Sequence, residues 1–233
     1  MEFVIAEFEE KIEEIDEYFS FVKRTTHLHL NLSMEMIEVS ETVHQVLKSN
    51  LFLLLYNLVE SSFKNALEKI CIEISSDELK YKEVVPEIKK MWIEKKYKNF
   101  DGLKNTKKSE FIMKKIENIA NDIIKIEFYT NVEKTKNDDV SGNVDARAIH
   151  KINAKYGAKM ENSPSLNTES LLTVKTNRNS LAHGQITFSE SGREYSLPKL
   201  EVIKNESIEY MRFILEHIKD FTYNKKYKLE ESL

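Results

Sequence analysis

The chain has 233 residues, 41% hydrophobic and 32% charged, with 5 Gly and 3 Pro, under a third of average Gly and Pro usage. So few turn formers exclude a sandwich, a barrel or a doubly wound sheet and predict an all-α helical bundle. The single cysteine, Cys71, excludes a disulfide framework or Cys-rich zinc module, and the net charge of −4 argues against a general nucleic-acid binder.

The longest apolar run, Leu51 to Tyr56, is far short of the roughly 20 residues that span a bilayer. The start Met1-Glu2-Phe3 lacks the basic flank of a signal peptide. A cytoplasmic protein without membrane contact is the expectation. Charge is unevenly spread. Residues 1–20 hold eight acids against Lys11, a balance of 1 − 8 = −7, and residues 88–115 hold ten lysines against three acids, 10 − 3 = +7. In the second window Trp92, Tyr97 and Phe100 alternate with Lys89, Lys90, Lys95, Lys96 and Lys98. That mixture suits a phosphate backbone and stacked bases. A solvated lysine face with its aromatics turned inward gives the same pattern, and the sequence leaves both readings open.

In chain order, apolar positions at Val4, Phe8, Ile12, Ile15, Phe19 and Val22 predict a helix over about 2–24 with an acidic opposite face. After an ambiguous stretch at 25–40, a long helix is expected over about 42–75. Its stripe through Phe52, Tyr56, Val59, Phe63, Leu67 and Ile70 is wide enough for the centre of a bundle. Ser76-Asp77 offers an N-cap for a helix to about 97, with Pro86 as a kink, and a further helix is expected over about 107–126. Polar residues from Asn131 to Val144 read as a loop. A short helix over about 144–156 stops at Gly157, and another over about 168–183 ends at Gly184. Ile186-Thr187-Phe188 and Glu194-Tyr195-Ser196 flank Ser191-Gly192 in a hairpin-like pattern near 185–197. A last amphipathic helix covers about 205–223. No internal repeat is present, and we expect one domain over 1–233 with extra helices inserted at about 76–130.

The helix over 168–183 breaks its own pattern. At 100° per residue from Leu171, Val174 lies at about −60°, Leu181 at about −80° and Arg178 at about −20°, so a guanidinium stands within the apolar stripe. A buried arginine must meet a carboxylate of its own fold, face a partner subunit or receive an anionic ligand. Only five arginines stand against thirty lysines here, so the flat fork of Arg178 is a specific choice. His183 follows five residues later in Arg178-Asn179-Ser180-Leu181-Ala182-His183-Gly184. Arg178 and His183 diverge by about 140° on an ideal helix, whereas Asn179 and His183 share a face. A common site therefore needs an irregular helix end or a second chain. Two such helices meeting across a two-fold axis would gather two arginines and two histidines in a cleft suited to a phosphodiester.

The Arg-x-x-x-x-His pattern, with a polar residue after the arginine and the helix closing on Ala-His-Gly, resembles the signature of the HEPN superfamily of helical ribonucleases. Ser141-Gly142-Asn143-Val144-Asp145 and the elements up to Leu171-Leu172 resemble the MAE-type branch found in bacterial defence and toxin systems. The likeness covers about 141–220 and the long helix at 42–75; residues 76–130 match nothing in it. It implies an endoribonuclease needing no metal and no cofactor, acting as a homodimer with a composite site. RNA would be its substrate, and an antitoxin or other operon-encoded protein its partner. Arg178 would hold the scissile phosphate, His183 would move the proton of the 2′-hydroxyl or of the leaving 5′-oxygen, and Asn179 would fix the imidazole. Toxins of this superfamily paired with a nucleotidyltransferase commonly carry a tyrosine two residues after the histidine. Gln185 stands there in this chain, which argues against silencing by nucleotide attachment.

Three further groups carry candidate roles. Glu60 either orders Arg178 or His183 or pairs with Lys64 one turn on. His27-Leu28-His29 lacks a third ligand, so no metal site is expected. Cys71 reads as a packing residue. The alternatives to a nuclease are a non-catalytic helical RNA-binding or dimerisation module and a scaffold for an operon-encoded partner.

Overall fold

A computed structural model describes residues 1–25, 39–96, 119, 122–126, 140, 143–160 and 166–229. Seven α-helices occur among them: α1 (Glu2–Thr25), α2 (Glu41–Ser76), α3 (Pro86–Lys96), α4 (Ala146–Lys155), α5 (Glu169–Ala182), α6 (Phe188–Glu194) and α7 (Leu197–Tyr223). The chain is all-α, as its composition requires. No described helix is long and apolar enough to cross a membrane.

Helix α2 organises the rest. Ser40 caps its start by accepting from the Val43 amide at 3.3 Å, and its 36 residues extend about 54 Å. Phe52, Leu55, Tyr56, Phe63, Leu67 and Ile70 are fully enclosed, because α1, α5, α6 and α7 all pack on it. Helix α1 buries the predicted stripe from Val4 to Val22. Its acidic face meets α7 through Glu9 with Arg212, at 2.7 Å, and through Asp16 with the mostly buried Lys204.

Several expected elements differ. Asp77 is the C-cap of α2 and not the N-cap of the next helix. Its carboxylate accepts from Lys225 Nζ at 2.7 Å and Tyr227 Oη at 2.9 Å, so the chain's later turn satisfies the group locally expected to cap a helix. Pro86 opens α3 instead of kinking a longer helix, consistent with its missing N–H. Residues 122–126, expected as helix, run irregularly: Ile124 donates to the Leu79 carbonyl at 2.8 Å, and Ile124 and Ile126 join the core. The expected helix at 107–118, like His27 and His29, lies outside the described residues.

The hairpin expected near 185–197 is a helix. Thr187 and Glu190 form a capping box that starts α6, a local signal that outweighs the weak strand alternation. Gly192 is not a turn residue. A Cβ there would lie 1.9 Å from the Gln45 carbonyl oxygen, so its missing side chain lets α6 lie backbone to backbone against α2. Helix α7 begins eight residues before its expected start, at Leu197, because Ser196 caps it and Pro198 occupies its first turn.

Candidate active site

Helix α5 is seated by Leu171, Val174 and Leu181 and by two buried polar residues, Ser170 and Asn177. Asn177 donates to Tyr195 Oη at 2.9 Å and accepts from Ser191 Oγ at 3.2 Å, tying α5 to α6. Sequence reasoning missed this anchor, although a tyrosine whose ring packs on Phe52 needs a partner for its hydroxyl. With those residues fixed, Arg178 is pressed toward α2. It is half-buried, its guanidinium carbon lies 4.3 Å from the centre of the Tyr56 ring, and its Nη1 donates to Asn179 Oδ1 at 2.9 Å. Two of its contacts are thus with an aromatic face and a neutral amide.

Asn179 was expected to orient the His183 ring. Its side chain is directed elsewhere: Oδ1 holds Arg178, and Nδ2 donates to Asn143 Oδ1 at 2.7 Å. What it shares with His183 is the backbone, whose amide at 183 donates to the Asn179 carbonyl at 3.0 Å. Helix α5 then closes regularly. Gly184 adopts φ +65°, its amide donates to Leu181 and the Gln185 amide donates to the Ser180 carbonyl at 2.8 Å, the paired bonds of a Schellman end. His183, at the C-cap, is exposed.

The segment before α4 closes over this region. Val144 donates its amide to Tyr56 Oη at 3.2 Å. Asp145 caps α4 through the Ala148 amide at 2.9 Å and also pairs with Lys175 of α5. Partial burial pushes the Asp145 carboxyl up, but the Lys175 ammonium and the helix amides more than offset it, and the group stays below the usual aspartate range. Burial raises the Tyr56 hydroxyl above an ordinary phenol. The Val144 amide and the Arg178 charge oppose that shift, while Glu60 and Asp145 reinforce it. Glu60 is paired with Lys64 at 3.0 Å, so its influence here is electrostatic, through Tyr56.

The lysine-rich window resolves in part. Trp92 is buried and packs near Tyr81, with ring centres 6.0 Å apart, which removes it as a base-stacking platform. Lys89 lies over the Tyr81 ring at 5.5 Å, and Lys90 is exposed. Lys98, Tyr97, Phe100 and the side chains of Lys95 and Lys96 lie outside the described residues.

The outer face of α5 carries a second pattern. Leu172, Thr176, Asn179 and His183 fall within about 60° of one another on an ideal helix. Leu172 is 49% exposed, Thr176 and His183 are exposed and Asn179 is half-buried. These four positions hold no Asp, Glu, Lys or Arg in a chain that is 32% charged, and Glu169, about 20° from Thr176, marks the edge of the stripe at the helix start.

No curated protein and no solved structure matches the chain. The family model of the MAE_28990-like HEPN domain, however, matches residues 2–227. That range exceeds the 141–220 and 42–75 segments legible as a resemblance and takes in α1, α3 and the intervening segment. With an all-α architecture and an Arg178-to-His183 motif closing α5, the chain belongs to the HEPN superfamily, in its MAE-type branch.

Proposed function

We propose that this protein is a metal-independent endoribonuclease that acts as a homodimer, in a toxin–antitoxin or phage-defence role, with the whole chain serving as one HEPN-like unit. HEPN domains are generally associated with nucleases, and they often dimerise and bind RNA. The observation that carries the proposal is the treatment of Arg178: a half-buried guanidinium held over Tyr56 and fixed by Asn179, five residues before an exposed imidazole at the same helix end.

In this reading Arg178 binds the scissile phosphate and neutralises the charge that builds on its equatorial oxygens. The 2′-hydroxyl loses its proton to a base, its oxygen bonds to phosphorus, and the bond from phosphorus to the 5′-oxygen breaks in line. The leaving oxygen takes up a proton, so the products are a 2′,3′-cyclic phosphate and a 5′-hydroxyl. His183 supplies the base or the acid, and Asn179 serves the reaction by holding Arg178. Because the nucleophile belongs to the substrate, the reaction needs ribose and no metal-bound water.

The outer α5 stripe of Leu172, Thr176, Asn179 and His183 supports the dimer. A second copy packed on it across a two-fold axis brings both His183 side chains toward one seam and offsets the 140° divergence. The test is cleavage of single-stranded and tRNA-like RNA in EDTA. Wild-type protein cuts RNA and not its 2′-deoxy counterpart, while folded Arg178→Ala and His183→Ala do not cut. Full activity of His183→Ala contradicts the assignment. Uncut RNA together with tight RNA binding lost in Arg178→Ala favours a non-catalytic RNA-binding module. A stable hetero-complex that binds no RNA favours a scaffold for an operon-encoded protein.

A further inference from the structure

We infer that Tyr56 is a positioning residue of this site: its buried ring is the platform that sets the plane of the Arg178 guanidinium, and Asn143-Val144 locks platform and guanidinium together. The inference rests on the reading of Arg178 as the phosphate-holding group.

The contacts form a closed circuit. Tyr56 lies fully enclosed on α2, and the Val144 amide donates to its hydroxyl at 3.2 Å, which fixes the far end of the ring. Arg178 lies over the ring face at 4.3 Å. Asn179 accepts from Arg178 and donates to Asn143, and Asn143 is bonded through the chain to Val144, where the circuit closes. Each link constrains a different freedom. The ring sets the tilt of the guanidinium and the Asn179 amide sets its rotation within that plane.

The chemistry of the contact explains the choice of residue. A guanidinium over an aromatic ring engages through its face, whereas its five N–H groups lie in its plane and keep their geometry for oxygen acceptors. A lysine ammonium has no such division between face and edge. That accounts for an arginine at this position in a chain holding thirty lysines and five arginines. Tyr56 thereby acts on the reaction without touching the phosphate, by narrowing the orientations from which Arg178 meets it.

The test replaces the ring electronically while keeping its shape. Tyr56→Phe, and a series of increasingly fluorinated phenylalanines at position 56, progressively remove the negative ring face. Cleavage of one fixed single-stranded RNA transcript in EDTA is followed with the Arg178 Nε–H resonance, assigned by its loss in Arg178→Lys. Tyr56→Phe, which removes the Val144 link, should lower kcat about threefold, and the trifluorinated ring should lower it about tenfold, with KM and the pH profile little changed. In wild-type protein the Arg178 Nε–H resonance should lie upfield, displaced by the ring current, and should move back as the contact weakens along the series. A flat series, or an undisplaced wild-type resonance, overturns the inference. A wild-type protein that cuts no RNA defeats the nuclease reading separately, and the resonance then decides the Tyr56–Arg178 arrangement by itself.

Discussion

Replacing Gly192 with alanine should be among the costliest one-methyl changes available in this fold. The added Cβ would lie 1.9 Å from the Gln45 carbonyl oxygen, 2.6 Å from its carbon and 2.9 Å from its Cα. All three are backbone atoms in the first third of α2, so no side chain can rotate away, and α6 must withdraw by more than about 1 Å. Withdrawal strains the Ser189–Gln45 bond at 2.7 Å, the Ser191–Asn177 bond at 3.2 Å and the Phe52–Tyr195 edge contact at 4.9 Å. One buried and one partly buried hydrogen bond at about 1 kcal/mol each and an aromatic pair at about 1 kcal/mol set the loss near 3 kcal/mol, the upper range for overpacking. For a chain of this size that corresponds to a fall in melting temperature of about 6–12 °C. Thermal unfolding of the purified variant measures it. A melting point within 2 °C of wild type, roughly the effect of half a kcal/mol, would refute the close α2–α6 approach. Because Asn177 is one of the residues strained, the variant should also loosen α5 beside Arg178.

Gly184→Ala provides the contrast. Nothing lies within 4 Å of the added Cβ, but φ is +65°, so the cost is that of a left-handed residue alone, about 1 kcal/mol, and urea unfolding should show it without loss of packing. Asp77 gives a pH-dependent test. Partial burial raises its carboxyl, but hydrogen bonds from Lys225, Lys228 and Tyr227 outweigh this and hold it near about 2, against 3.8 unfolded. A lowered folded pKa stabilises the fold above the unfolded value and is lost as pH falls from 3.8 toward 2. The full shift corresponds to about 2.5 kcal/mol, and the exposure of the two lysines reduces the expectation to about 1 kcal/mol. Asp77→Asn should therefore be less stable than wild type at pH 7 and equal to it near pH 2, a difference that denaturant titration at both pH values reads directly. If the proposed homodimer packs on the α5 stripe, Leu172→Lys should leave the fold intact and convert a wild-type dimer to a monomer in light scattering at micromolar concentration. An unchanged dimer would place the subunit contact elsewhere.

Much of this fold is legible in the sequence because most helices carry their own boundaries. The spacing from Val4 to Val22 defines α1, Asp145 caps α4, and Gly184 closes α5. Legibility fails where a long-range contact overrides a local signal. Ser191-Gly192 is locally a turn, and only proximity to Gln45 explains the glycine. Asp77 is locally an N-cap, and only the return of Lys225 and Tyr227 makes it an anchor. At the site, helical angles identify Arg178 as misplaced in an apolar stripe but cannot say what it meets, since Tyr56 lies 122 positions away in the chain and reads as an ordinary core aromatic. The Asn179 contact fails for a related reason: residues four apart share a face, yet the Asn143 amide, brought close by the segment before α4, draws the side chain away from the imidazole.

In the proposed reaction Arg178 and His183 cut RNA by attack of its own 2′-hydroxyl. Total RNA incubated with wild-type and His183→Ala protein in the presence of chelator, with every new end mapped, addresses it most directly. New 2′,3′-cyclic phosphate and 5′-hydroxyl ends should appear with wild type alone. Identical ends from the folded His183→Ala protein, or 5′-phosphate ends from either, would contradict it.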